Sequence, residues 1–517
     1  MPSPLRQPAL PADRPLRRFR RAGSSAPFPV RRVSAPRRSD DIAARPARAA
    51  LALLTLGALA LRLAVPRGLW LDEAISVRQA HLGLGALIQS LATGDRHPPL
   101  HYLALWAMVH LFGDGELAVR LPSIVAGTLI VPMLFAIGAE LFDRRTGLLA
   151  GLFGAVAPLL VWYSQEARMY AFVTCFGALA VLGCVRVIRR GGTGGWVLYT
   201  VGASGLLWSH WFAGILLVIL EGAIVATVVG RRRRGEPLRP LLTGWLASSA
   251  ILCWQLVPLA ILALAEVRAT GVSGGYAGGG DAGQPGVSFY TVMANLSWTL
   301  WGFHPARATE ELSAAWPLLM LLSLVLLGRR LDRRTLFLVA CWLSPVAALL
   351  ALGAFDPAVF EVRYFIVGVP IASVLLARLI LGWTRSGWGS VALASAVLAT
   401  LLVGLLDQQL DPANPRRYDY RQALAQVRQA RMPGTVLLYE PPEMRYVLQY
   451  YAPGVVARPL DGPLPGRAQA QRVIVLGSFL DQARYRQVVD RDVGALAYAR
   501  GPAQRSDYSG VTLWSFG

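Results

Sequence analysis

Long apolar runs separated by short polar, arginine-bearing stretches dominate the chain between residues 49 and 406. They fall at 49–65, 118–142, 146–163, 169–188, 195–209, 212–229, 240–265, 312–328, 335–354, 364–382 and 389–406. Most approach the roughly 20 residues an α-helix needs to cross bilayer hydrocarbon, so they predict about eleven membrane-spanning helices. A further stretch, LHYLALWAMVHLFG at 100–113, is shorter and carries His101 and His110. At about 1.5 Å per residue it reaches only about 21 Å, which predicts a helix lying in the interface and not a span.

The pattern changes at both ends. Residues 1–48 are rich in Arg, Pro, Ala and Ser and have too little apolar periodicity to build a core; they predict a disordered cytoplasmic arm. No small-residue cleavage site follows the first apolar run, which therefore predicts a retained signal anchor. In residues 407–517, DYRQALAQVRQA has helical spacing whereas GTVLLYE and QRVIVLGSFL are strand-like, predicting a small α/β domain. The glycine-rich GVSGGYAGGGDAGQPG at 271–286 predicts a flexible loop that suits a lid or a connector equally. The fold class is thus an α-helical polytopic membrane protein with a small C-terminal α/β domain.

Composition agrees: 54% of the 517 residues are hydrophobic and only 16% charged, outside the range of soluble domains. The net charge of +21 would point to nucleic acid if it covered a soluble domain, but the basic residues, all arginine, cluster between apolar runs. That arrangement orients a membrane protein and excludes nucleic acid as a partner. Cys175, Cys184, Cys253 and Cys341 lie in apolar stretches without paired spacing, so neither a disulfide framework nor a zinc site is expected.

The positive-inside rule tests the short helix. If 100–113 does not cross, the arginine loops at 143–145, 189–190, 231–234, 329–334 and 384–387 all share the cytoplasmic side with the amino-terminal arm. Asp72–His101, SQEAR (164–168), SHW (209–211), the loop 266–311, FDPAVFEVR (355–363) and the C-terminal domain then share the external side.

Ionisable residues at the mouth of a membrane bundle are functional candidates. The external loops supply Asp72 and Glu73, then Asp95, Arg96 and His97, then Glu166 and Arg168, then His210, then Glu361 and Arg363. Each has a plain structural alternative: the acidic pair as a helix cap, SQEAR as a polar turn, His210 between tryptophans as an interface anchor. Their convergence on one face favours chemistry. A carboxylate that removes a proton from a hydroxyl, with arginines or a metal holding a departing phosphate, suits group transfer from an activated phosphate.

In this order, WLDEAIS, RHPPLHYLALW, ELAVRLPS, WYSQEARMYAF and VRYF resemble the bacterial membrane glycosyltransferases of the GT-C class. These are grouped with family 39 and related to protein O-mannosyltransferases and the lipid A aminoarabinose transferase. The resemblance covers about residues 49–382. It implies an inverting enzyme in the bacterial plasma membrane that passes a hexose or pentose from a polyprenyl-phosphate donor to an external glycan, lipid or protein acceptor. By this resemblance Asp72 is the general base or acceptor-orienting carboxylate, and Glu73 positions acceptor or helps hold a cation. Glu166 is a second carboxylate, less securely matched because the motif here is Gln-Glu-Ala-Arg. Arg168 and Arg363 bind donor phosphate with Tyr364 beside the lipid, and Arg96, His97, Tyr170 and His210 line the site. No cofactor is required by the pattern; a divalent cation on Asp72 and Glu166 stays open. The rival expectation is a transporter or flippase of a lipid-linked substrate, which needs charges at mid-membrane depth.

Overall fold

The computed structural model describes residues 38–64, 67–93, 97–270, 289–302, 315–327, 331–353, 362–383, 387–411, 414, 418–430 and 432–517. Sixteen α-helices precede the C-terminal domain among them. They are α1 (Arg38–Leu63), α2 (Leu71–Ala80), α3 (Leu84–Thr93), α4 (Leu100–Phe112), α5 (Glu116–Leu141), α6 (Arg144–Val156), α7 (Pro158–Ser164), α8 (Tyr170–Arg190), α9 (Thr193–Leu207), α10 (Ile215–Arg233), α11 (Arg239–Thr270), α12 (Phe289–Trp301), α13 (Ala315–Leu327), α14 (Arg333–Gly353), α15 (Val369–Trp383) and α16 (Gly387–Leu410).

Each of the eleven apolar runs contains a helix, and eight helices are long and apolar enough to cross a membrane among the described residues. The run at 146–163 is not one straight span: α6 and α7 meet at a 57° bend. Pro158 opens α7 and Ala157 before it is extended (φ −56°, ψ 119°), as a residue preceding proline must be. The α9 and α13 segments are 15 and 13 residues long. Helix α1 starts at Arg38, so residues 38–48, expected in the disordered arm, are helical; their alanines are strong helix formers. The glycine-rich loop at 271–286 lies outside the described residues.

Helices pack closely where glycine removes the side chain. On α8 a Cβ at Gly183 would lie 2.2 Å from Tyr199 N, and on α9 a Cβ at Gly202 would lie 2.3 Å from Ala180 N. Small residues let the two backbones touch, which is how helices gain packing energy when lipid removes the hydrophobic drive.

One end of the bundle gathers arginines. Glu140 pairs with Arg190 at 2.6 Å and Arg186 at 3.4 Å, Arg189 and Arg334 both donate to Leu141 O, and Arg378 pairs with Asp332 at 3.6 Å. Helix α10 runs from its start beside His210 to Arg231–Arg233. Glu221 sits midway along the Trp211–Arg233 span. There it accepts from Tyr199 Oη and from Trp245 Nε1 (2.7 Å), bridging α9, α10 and α11. Buried polar side chains in lipid are retained when they bond across helices in this way.

The C-terminal domain is α/β as predicted. DYRQALAQVRQA supplies α17 (Tyr420–Gln429), and the two strand-like stretches supply β1 (Thr435–Glu440) and β3 (Arg472–Ser478). With α18 (Arg445–Tyr451), β2 (Ala457–Pro459), α19 (Ala483–Arg500), β4 (Gln504–Tyr508) and β5 (Val511–Phe516), they form one mixed sheet of order β2-β1-β3-β5-β4. β1 is parallel to β2 and to the central β3, and β5 is antiparallel to β3 and β4. One apolar core joins this domain to the rest: Leu69, Val77, Leu105 and Val119 pack with Tyr420, Leu424, Leu448 and Leu476.

Candidate active site

The opening residues of α2 decide the geometry. Glu73 is completely buried and caps its own helix, accepting from Trp70 N at 3.2 Å, as a glutamate at the third helical position does. Its two oxygens also take a fork from Arg120, Nε to Oε1 at 2.7 Å and Nη2 to Oε2 at 2.6 Å, while Ala167 N donates to Oε1 at 2.8 Å. Arg120 donates further to Arg67 O (3.0 Å) and Gly68 O (2.8 Å). A bidentate pair with its remaining lone pairs filled is the arrangement under which a buried ion pair becomes tolerable. It fastens the start of α2, the first turns of α5 and the 165–169 turn to one another. Glu73 was expected to position acceptor or hold a cation; both its oxygens are committed to this clamp.

The clamp leaves Asp72 facing out of it. Asp72 is partly exposed, and its Oδ2 lies 3.8 Å from Arg168 Nη2. Arg168 is itself oriented: Nη1 donates to Ser76 Oγ at 3.0 Å and to Tyr102 Oη at 3.1 Å, and its carbonyl accepts from Ser123 Oγ. An aromatic and imidazole group adjoins it. The His210 ring lies 5.6 Å from His97, 5.4 Å from Tyr364, 6.4 Å from Tyr170 and 5.7 Å from Phe212, and Arg363 Cζ lies 5.7 Å from the Tyr364 ring. Leu100 N donates to Trp208 O, tying the proline loop before α4 to the turn that carries His210.

Burial and the nearby charges of His97, Arg363 and Arg168 hold His210 well below the usual imidazole range. It is neutral at pH 7, and because its Nδ1 accepts from Phe212 N at 3.3 Å, the proton resides on Nε2. That Nε2 has no hydrogen-bond partner among the described residues.

Glu166 sits deeper. It is buried, 3.6 Å from Arg67 Nη2, and its Oε2 has no hydrogen-bond partner among the described residues. Burial, opposed by Arg67 and reinforced by the negative charges of Glu73 and Asp72, pushes its carboxyl up to about 7. Arg67, stacked 3.3 Å from the Trp162 ring and donating to Trp162 O, is pushed down by burial to about 10.

Asp72, Arg168, His97, Tyr170, His210, Arg363 and Tyr364 therefore come together, at the opposite end of the spans from the arginine cluster. Arg96, Asp95 and Glu361 lie outside the described residues. Glu166 is adjacent but turned to Arg67. Arg67, Ser76, Tyr102 and Arg120 were not anticipated; Arg120 had a signal, since an arginine in the first turns of an apolar helix demands an anion. Among the described residues no three of His, Cys, Asp or Glu assemble as a cation site. Glu73 faces Arg120, Glu166 faces Arg67 and Asp72 faces Arg168.

The family model for dolichyl-phosphate-mannose-protein mannosyltransferase matches residues 96–254. No curated protein matches the sequence. The fold is similar to that of ArnT from Cupriavidus metallidurans in the apo state, with a TM-score of 0.52 at 12% identity over 92% of this chain and 98% of that one. ArnT bound to undecaprenyl phosphate aligns over the same shares with a TM-score of 0.50, also at 12% identity. The ArnT fold is thus shared over most of both chains.

Two outcomes follow from the clamp and its neighbour. Arg120→Met strands the Glu73 carboxylate in a dry site and lowers stability by about 3–5 kcal/mol, read by thermal unfolding in detergent; adding Glu73→Gln recovers at least half of that loss. Glu166 has a raised pKa, so its contribution to stability is full below about pH 4.5 and is lost as pH rises through about 7. Glu166→Gln, which imitates the protonated acid, abolishes that part of the pH dependence, and its melting temperature changes less between pH 5 and pH 8 than that of the parent.

Proposed function

We propose that the protein transfers a sugar from a polyprenyl-phosphate donor to an acceptor hydroxyl on the external side of the bacterial plasma membrane, with its amino terminus in the cytoplasm. The observation that carries this reading is Asp72: an accessible carboxylate oriented by Arg168 at a mouth lined by Arg363, His97, His210 and Tyr364. The fold shared with ArnT, which has been crystallised with undecaprenyl phosphate, and the match to the mannosyltransferase family support a lipid-phosphate donor. The placing of the arginine-rich ends opposite this mouth supports the orientation.

Asp72 takes the proton from the acceptor hydroxyl as its oxygen attacks the anomeric carbon. The bond from that carbon to the donor phosphate breaks on the far side, and the configuration inverts. Arg168 and Arg363 hold the negative charge that grows on the leaving phosphate, where a planar guanidinium serves better than an ammonium. Ser76 and Tyr102 fix the Arg168 fork beforehand, so little reorganisation accompanies the reaction. The Nε2–H of neutral His210 donates to a donor oxygen without adding charge. An apolar groove of about 840 Å³ between α1, α6, α15 and α16 offers the prenyl chain a path. Its Leu61 carbonyl accepts from Gln165 beside Glu166, which brings the groove close to the site.

The transporter reading needs mobile charge at depth. Glu221 is at that depth, but both of its oxygens are tied to Tyr199 and Trp245.

The test uses the full chain in sealed proteoliposomes with undecaprenyl-phosphate-linked mannose, glucose, galactose, arabinose and aminoarabinose in turn, and cell-envelope extract as acceptor. Acceptor-dependent release of undecaprenyl phosphate from one donor is expected; movement of intact donor across the membrane without release contradicts the proposal. Asp72→Asn lowers transfer at least ~10²-fold with donor binding intact, and normal turnover by that variant removes the base assignment. Arg363→Lys weakens donor affinity about tenfold despite retaining charge, measured by donor titration; unchanged affinity takes Arg363 out of the site.

A further inference from the structure

The three residues that lead into α2 are held from two directions. Arg120, in the membrane bundle, donates to Arg67 O and Gly68 O. From the C-terminal domain, Tyr451 Oη accepts from Leu69 N at 2.6 Å and donates to Glu116 Oε1 at 2.7 Å. Arg421 grips the same Glu116 through Nε and Nη2 and reaches Arg67 O at 3.3 Å. Nothing intervenes: a Cβ on Gly68 would lie 2.8 Å from Tyr451 Oη and 3.2 Å from Arg421 Cβ. On either side of this joint Tyr450 Oη donates to Asp114 O, and Trp70 stacks in parallel on Tyr418, with centroids 6.3 Å apart.

We propose that Tyr451 is a positioning residue for the transfer reaction. By fixing the Leu69 amide it sets where α2 begins, and so where Asp72, in the first turn, points. Docking of the C-terminal domain is then a condition of turnover. A plain packing role for Tyr451 would reside in its ring, which is 8% exposed in the shared core. The positioning role resides in its hydroxyl, whose two hydrogen bonds join Leu69 to Glu116. Arg421 adds to it by holding Glu116 in place. A displacement of about 1 Å in a reacting group is enough to cost about 10²-fold in rate.

This inference rests on Asp72 being the base, and its test separates the two. Tyr451→Phe keeps the ring and deletes the hydroxyl. In the full-length protein in nanodiscs, hydrogen exchange at the Leu69 amide is expected to accelerate at least tenfold, as for an amide that loses its acceptor. With the undecaprenyl-phosphate donor selected by the panel above, kcat is expected to fall ~10–100-fold, while affinity for undecaprenyl phosphate alone stays within twofold. Glu116→Gln, which weakens the grip of Arg421, should shift kcat the same way and by less. Unchanged exchange at Leu69, parental kcat in Tyr451→Phe, or an equal loss of undecaprenyl phosphate affinity each overturns the positioning role. Normal turnover by Asp72→Asn overturns the base assignment instead, and Leu69 exchange still decides whether the hydroxyl holds the segment.

Discussion

A single buried ion pair organises the end of this molecule that carries Asp72. The Glu73 carboxylate has its oxygens filled by Arg120, Trp70 N and Ala167 N, and through them the chain before α2, the α5 helix and the turn before α8 meet at one point. Desolvating two charges is costly, and the arrangement holds only because every lone pair of the carboxylate has a donor. With Glu73 immobilised, its neighbour Asp72 is left partly exposed and directed toward Arg168. The two adjacent carboxylates thus divide their work, one fixing the scaffold and the other facing the cleft.

Around that point the fold separates two electrostatic environments along the spans. Arginines with Glu140 and Asp332 occupy one end. At the other, guanidinium groups stand beside carboxylates, imidazoles and tyrosines. The low proton affinity of His210 and the high one of Glu166 share a cause, burial, acting in opposite directions on a base and an acid. At neutral pH His210 is uncharged and Glu166 is partly ionised, so the positive charge at this end comes from the arginines. The C-terminal domain completes the arrangement, since its Tyr451 and Arg421 grip the strand that enters α2.

Much of this was legible in the sequence. Hydropathy alone located the helices, because a helix in lipid must be apolar over a fixed length. The arginine distribution predicts that the 100–113 helix does not cross, which puts Glu73 before it and Arg120 after it on one side, and these two are in direct contact. The convergence of Asp72, Arg168, His210 and Tyr364 followed from that topology. What escaped the sequence depends on side-chain partners. Nothing in WLDEAIS distinguishes the carboxylate that is clamped from the one that is open, as that depends on Arg120, Ala167 and Trp70, which are far apart in the chain or offer only backbone. The bend at Pro158 was missed, because 146–163 reads as one apolar run and the effect of the proline depends on the packing around it. The role of Tyr451, 382 positions from Leu69, had no local signature.

The account requires the loop bearing Asp72, the short α4 helix and the C-terminal domain to occupy one compartment, with the arginine-rich ends in the other. Membrane-impermeant maleimide labelling of intact cells tests this, using single cysteines at the exposed positions 93, 115 and 498 and at 145 and 233 in a chain lacking the native Cys253. Labelling from outside at 93, 115 and 498, with 145 and 233 protected until the membrane is permeabilised, is the predicted result. Labelling of 93 and 115 from opposite sides would mean that α4 crosses the bilayer, and no shared site could then exist.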